Sequence, residues 1–401
     1  MIKIKRIAAL GATSLTGAAL LVGAPTAAWA KPPAVARVLF VAPNGADSAK
    51  PGVPFCRAAH PCHTISFAVT KAAAGDAVLV APGTYPEGVT VPKRLTLGVW
   101  HRGPGRPTVD AKNKANGFLI SGPAAAGTVV TGFSVQNATH EGILALRTSH
   151  VTITGNVVTH NDTGFNDKKA RPPDECAVQG EIPGDCGEAI HLMTTSDSQV
   201  VRNVVNHNVG GILLTDEFGP TARNLIARNI VTDNAADCFI TLPSHNEDAL
   251  GSNGTRQPSK GGVYKNLVLG NLSARNGGAG ILVAVAVPGA ASYDNGIGFN
   301  TVFGNGLPGV TVHTHAPNQD VNGTVVAFNA IGPNAPKGDP DAAGVTQSTG
   351  VLFNSDVVPV KGAVVAANRF VGLHFGVWTH KAHAAVFANK FVNVAVPVTQ
   401  T

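Results

Sequence analysis

The sequence predicts an all-β chain wound as one β-solenoid, and three observations carry that expectation. First, short stretches recur that begin on a glycine or small residue and continue with alternating aliphatic positions. They include GILALRT (142–148), AIHLMTT (189–195), GILLTDE (211–217), GILVAVA (280–286), GVTVHTH (309–315) and GVLFNSD (350–356), with FITLPSH (239–245) in the same phase. The first and third residues after the opener are mostly aliphatic while alternate residues vary, which is the period of a strand with one buried face. Second, all but the last of these stretches along the chain are followed by a unit that ends on asparagine: GNVVTHN (155–161), RNVVNHN (202–208), RNIVTDN (228–234), GNLSARN (270–276), FNTVFGN (299–305) and FNAIGPN (328–334). Where no insertion intervenes, their first asparagines lie 26 to 29 residues apart, a solenoid period. Third, 44% hydrophobic residues and 46 glycines supply a large core and many tight turns.

The chain opens on MIKIKR, an apolar run and Ala28-Trp29-Ala30. A basic start, an apolar middle and a small-residue cleavage motif read as a secretory signal over residues 1–30. The expectation is export, with no membrane attachment after cleavage. Removal takes Lys3, Lys5 and Arg6, so the formal charge falls from +6 to +3. With only 13% charged residues, such a balance argues against a nucleic-acid partner.

Residues 31–74 precede the first regular unit and read as an N-terminal cap, because a solenoid must cover its open end. Within them FVAPNGADSAKPG reads as a strand and loop, and CHTISFAVTKAAAGD as a short amphipathic helix. From residue 75 to 401 the pattern is strand upon strand, so one domain of about ten turns is expected rather than the two or three that length alone implies. Within the turns, Asn161, Asn208, Asn234, Asn276, Asn305 and Asn334 are expected to stack, each amide bonding the next. Five cysteines in an exported chain pair by proximity as Cys56–Cys62 and Cys176–Cys186, with Cys238 a buried free thiol.

The GIxL and GNxVxxN units, with the lead-in GDAVLVAPGTYPEGVTV (75–91), resemble the right-handed parallel β-helix repeat proteins. That superfamily includes pectate-lyase-like enzymes and copper-associated NosD-like periplasmic proteins. The resemblance spans about residues 75 to 395 and implies a right-handed parallel β-helix. It says little about chemistry, because one such scaffold hosts unrelated activities.

Two long insertions, about 168–187 and 247–262, follow the GIxL-type strand, where repeat proteins usually place functional loops. A third, 333–344, reads as an ordinary connection. Side chains two, four and six residues after each opener point out of the solenoid and form columns along its axis. The column at six holds Glu217, His245 and His315, the column at four holds Thr215 and His313, and His191 lies in the column at two. Adjacent strands stack about 4.8 Å apart, so Glu217 and His245 are expected side by side, with His315 two turns on. A carboxylate beside an imidazole raises its proton affinity and fixes its tautomer, giving an acid–base pair. Asp216 is expected to face the corner, to orient a partner or bind a cation, and Lys260, on the loop expected to wall the groove, suits a substrate carboxylate.

Each of these residues alone also reads as a solvated side chain on an outer face; their convergence from separate turns favours a site. The first reading is an enzyme with Asp216, Glu217, His245, His313, His315 and Lys260 as catalytic candidates. It acts, as a monomer, on a polysaccharide as lyase, epimerase or hydrolase. Against it, only three Trp and three Tyr are present, few for the aromatic platforms of sugar grooves. The second reading makes His313, His315, His245 and Glu217 ligands of a divalent metal ion. The third is a non-catalytic adhesive or structural protein.

Overall fold

The computed structural model describes residues 37–48, 55–162, 188–235, 239–285, 287–336, 338, 339, 342 and 344–401. These form a right-handed parallel β-helix. One sheet has twelve strands, two have eleven, and a short three-stranded sheet fills one corner. Every strand pair in these sheets is parallel, and the core positions stay in register from turn to turn, as in Ile143↔Ile190, Ile190↔Ile212 and Ile212↔Ile240. That register puts the aliphatic positions of the repeat inside, where Ile212, Leu214, Ile240, Leu242, Val283 and Val312 are buried. The sheet containing Gly210–Thr215, here the site sheet, has eleven strands, one more turn than the repeats suggest.

Why the chain turns where it does follows from asparagine. Asn161, Asn208, Asn234, Asn276, Asn305 and Asn334 form a continuous buried ladder, each Nδ2 donating to the next Oδ1 at 2.9–3.2 Å. A second, longer ladder runs Asn156, Asn203, Asn229, Asn271, Asn300, Asn329, Asn368, Asn389. A third links Asn224, Asn266 and Asn295 at the remaining corner. The residue before a ladder asparagine is commonly in the left-handed region, for example Arg228 at φ 57° and Asp233 at φ 60°. Such a conformation costs a non-glycine residue roughly 1–2 kcal/mol, and the amide bonds made inside the corner offset it. The opener glycine is explained by the same ladder. A Cβ on Gly280 would stand 2.9 Å from Asn305 Nδ2 and 2.6 Å from the Gly309 carbonyl oxygen.

At the N-terminal end, the strand Val38–Val41 pairs with Ala77–Val80, so the twelve-stranded sheet begins inside the segment read as a cap. The helix Ile65–Lys71 packs against this first turn. Thr64 caps it, and Glu87, reaching up from the coil, accepts from the Ile65 and Ser66 amides at 2.7 and 2.9 Å. A carboxylate at a helix N-terminus takes up donors that have no partner within the helix. Cys56 and Cys62 are joined by a disulfide. The signal segment 1–30, the Cys176–Cys186 pairing and Cys238 lie outside the described residues.

Candidate active site

The site sheet places Glu217 just beyond the strand Gly210–Thr215, and His245 just beyond Ile240–Ser244 on the next turn. His245 Nδ1 lies 2.9 Å from Glu217 Oε1. The other oxygen, Oε2, accepts from Thr215 Oγ1 at 2.5 Å. With the carboxylate receiving the Nδ1 proton, the neutral ring carries its basic lone pair on Nε2. Side-chain exposure is only 1% for His245 and 6% for Glu217, so this pair sits in a weakly screened environment at the rim of the sheet.

Asp216 holds the corner. Its Oδ1 accepts from the His245 and Asn246 amides at 2.8 and 3.3 Å, and its Oδ2 from Ser244 Oγ and the Gly262 amide at 2.8 and 2.5 Å. It has no solvent exposure. Burial outweighs these bonds and pushes its carboxyl up to about 6. Asp216 therefore positions the backbone of His245 rather than meeting a ligand itself.

Beyond Thr215 the polar chain continues backward. The hydroxyl donates to Glu217, so it accepts from His191 Nε2, 2.8 Å away on the preceding turn. His191 Nδ1 in turn faces Glu141 Oε1 at 3.6 Å. Burial pulls the His191 pKa down, but the facing carboxylate of Glu141 outweighs it, with Glu188 and Glu217 adding, and the net shift is upward. Glu141 and Glu188 escaped the sequence reading. Their signal was there, since both immediately precede an opener, Gly142 and Ala189.

Two turns past His245, His315 forms a second pair. Its Nδ1 is 3.0 Å from Asp356 Oδ2, and both side chains are open to solvent, 41% and 50% exposed. The hydrogen bond from His315 holds the Asp356 carboxyl below the usual carboxylate range. His313 does not join this pair. It is buried, bonded to Thr311 Oγ1, with Asp339 Oδ2 at 3.8 Å, and burial followed by repulsion from His315 lowers its pKa to about 3. A ring held neutral in that way is a poor proton carrier near neutrality.

The structure corrects the picture of an open groove floor. His191, Leu213, Thr215, Thr241, Thr311 and His313, all expected to point outward, are buried. Part of the cover is the connection read as ordinary: Ala342 and Val345 pack on Leu352 and Trp378, and Asp339 approaches His313. The loop after His245 is corrected too. Arg256 bonds Asp320 at 2.7 Å and Asp294 at 2.9 Å and lies 3.8 Å over the Tyr293 ring. Ala249 and Leu250 join Tyr264 and Tyr293 in a small apolar cluster. These contacts pin the loop to the short corner sheet. Lys260 is exposed, and its carbonyl accepts from Asn246 Nδ2 at 3.0 Å, so its backbone is tied to the His245 turn. As for metal, no three of Glu217, His245, His313 and His315 bring ligand atoms together among the described residues. A groove of about 540 Å³ runs elsewhere, along the corner of Asn234, Asn276 and Asn305. Arg275, on its wall, is paired with Asp233 at 2.7 Å.

This fold and these pairs define a right-handed parallel β-helix protein with acid–base groups along one sheet. The family model for the right-handed β-helix region matches residues 109–247. Among solved structures, the A-module of mannuronan C-5 epimerase AlgE4 from Azotobacter vinelandii is similar at 13% identity and a TM-score of 0.53. The alignment covers 84% of this chain and 93% of that one. The Dettilon tailspike protein gp208 is similar at 14% identity and a TM-score of 0.51, over 88% of this chain and 68% of that one. At such identities the likeness is one of fold. No curated protein matches the sequence.

Proposed function

We propose that the chain is an exported enzyme that acts on a polysaccharide by proton transfer, with His245 as the proton-transfer residue. The observation that carries this reading is the 2.9 Å contact between His245 Nδ1 and Glu217 Oε1. Glu217 fixes the tautomer and stabilises the imidazolium that forms when Nε2 takes a proton. On a uronic acid residue the proton removed is the one α to the carboxylate. Its return from the opposite face gives the epimer; departure of the 4-oxygen, protonated as it leaves, gives the unsaturated lyase product. Lys260 is the candidate for neutralising the substrate carboxylate, and His315, with Asp356, for the second proton transfer. A hydrolase reading instead needs two carboxylates flanking the scissile bond, and Glu217 is engaged by His245 and Thr215. The similarity to an epimerase module supports the shared scaffold, a coil long enough to meet several sugar residues at once.

The test is a panel of uronate and neutral polysaccharides incubated with mature protein. Ultraviolet absorbance reports the lyase product, proton NMR in deuterated water the epimer, and reducing ends a hydrolase. Uronate-specific solvent exchange or unsaturation, lost in His245→Ala, is the expected result. Turnover of neutral glycans alone would replace proton transfer by hydrolysis, and no turnover of any kind would leave a binding or structural role.

A further inference from the structure

The position just before each opener is filled in four successive turns by Asn116, Glu141, Glu188 and Gly210. Two of these bring carboxylates into a place without solvent: Glu141 is 0% and Glu188 2% exposed. His191, at 0%, stands three residues beyond Glu188 on the same strand. One ligand atom from each of the three lies within 4.8 Å of the other two. The glycine at 210 is part of the arrangement. A Cβ there would stand 2.9 Å from Glu188 Cγ and 3.2 Å from its Oε1, so only glycine lets that side chain lie where it does.

We propose that Glu141, Glu188 and His191 bind a divalent transition-metal ion, at a site separate from the Glu217–His245 pair. The argument is one of geometry. Thr215 commits its proton to Glu217, so His191 Nε2 must donate to Thr215, and Nδ1 is the nitrogen left facing Glu141, where binding an ion would release its proton. The separation of Nδ1 from Glu141 Oε1, 3.6 Å, is long for a hydrogen bond. It suits two ligands at about 2.1 Å from one ion, which stand roughly 3.6 Å apart when the angle between them is near tetrahedral or slightly wider. Opposite ligands on such an ion span about 4.2 Å, so the 4.8 Å envelope closes with a small rotation of a glutamate. One nitrogen and two carboxylate donors suit zinc or manganese better than calcium, which prefers oxygen alone. A cation on Nδ1 would also make Nε2–H a stronger donor to Thr215, so the ion would hold in place the hydrogen-bond chain that reaches Glu217 and His245.

The proposal does not rest on the enzyme reading, and its test needs no substrate. Mature protein is produced in medium supplemented with zinc or with manganese, and its metal content is measured. A chelator-treated sample is then titrated with each ion while bound metal and the thermal midpoint are followed. About one ion per chain and a higher midpoint with metal are expected. Glu188→Gln and His191→Ala should lose the ion, and His315→Ala, remote from the cluster, should keep it. Should wild-type protein hold neither ion stoichiometrically in either preparation, the cluster is an imidazolium–carboxylate network and the metal proposal is overturned. Retention of a full equivalent by folded Glu188→Gln and His191→Ala overturns it equally, by placing the ion elsewhere. Cobalt substitution provides a further reading: its absorption spectrum must change in Glu141→Gln if that oxygen is a ligand.

Discussion

Two carboxylate–imidazole pairs stand on one sheet, two turns apart, and they differ in little but water. Glu217 and His245 meet at 2.9 Å, His315 and Asp356 at 3.0 Å, and in both cases through Nδ1. The first pair is almost wholly covered, while the second has two-fifths to half of each side chain in solvent. Coulombic attraction at a given distance is several times stronger in a protein interior than in water, and exposed pairs contribute about 0–1 kcal/mol at most. The same local motif, repeated by the solenoid, therefore yields one imidazole held in a covered pair and another held by a pair that water screens. Sequence spacing makes both pairs possible; cover decides which is preorganised.

The largest effect expected from that difference is on rate. His245→Ala and Glu217→Gln should each lower kcat/KM on an identified polysaccharide by about 10²–10⁴-fold with the fold retained. His315→Ala should cost clearly less, and its loss should be partly recovered at higher pH or with added imidazole, since the site is open. Equal losses in all three would mean that the two pairs act as one catalytic unit. A loss confined to His315→Ala would exchange their roles.

Asp216 extends the contrast to a buried carboxylate whose donors, among the described residues, are all neutral. Its pKa of about 6 stands above the ordinary 3.8, so between those values the folded protein holds a proton that the unfolded chain has released. Its contribution to stability is therefore fully present below about pH 4 and is lost as pH rises toward 6, by roughly 3 kcal/mol for a two-unit shift. Relative to Asp216→Asn, whose amide cannot titrate, the wild-type midpoint should fall across that window. Parallel curves for the two proteins would show that Asp216 stays ionised throughout, held by its four donors.

How much of this was legible can be argued residue by residue. The Asn161-to-Asn334 ladder was readable because asparagine recurs at one phase of every turn, and the structure finds each of those amides bonded to the next. The neighbouring of Glu217 and His245 was readable for the same reason, since in-register parallel strands turn sequence phase into contact. Cover was not readable. Nothing in the phase of His313 says that Asp339 approaches it or that Ala342 packs on Leu352, and the partners of Arg256 are 38 and 64 residues away. Repeats report what is alike between turns, whereas burial of the outer face depends on segments that break the repeat. The ladder itself gives the next prediction. Asn208→Leu and Asn234→Leu should each destabilise the protein by about 1–3 kcal/mol, because a buried amide on either side loses its partner. Denaturant or thermal unfolding measures it, and unchanged midpoints in both variants would mean that the ladder contributes no net stability.

The smallest effect is expected at the exposed pair, and it checks the comparison from the other side. Asp356 has its carboxyl lowered chiefly by the His315 hydrogen bond, with burial acting weakly against it. A lowered folded pKa stabilises the protein above the ordinary carboxylate pKa and loses that contribution as pH falls through the folded value. Water screens the pair, so Asp356→Asn should reduce stability at neutral pH by less than about 1 kcal/mol, and as pH falls through the lowered folded value wild type and variant should converge. Salt should shrink the neutral-pH difference further, as it does for charges within reach of solvent ions. A loss at neutral pH as large as that of a ladder asparagine, insensitive to salt, would show that Asp356 and His315 are shielded from water. The two pairs would then be equivalent, and burial would no longer explain why one of them should dominate the chemistry.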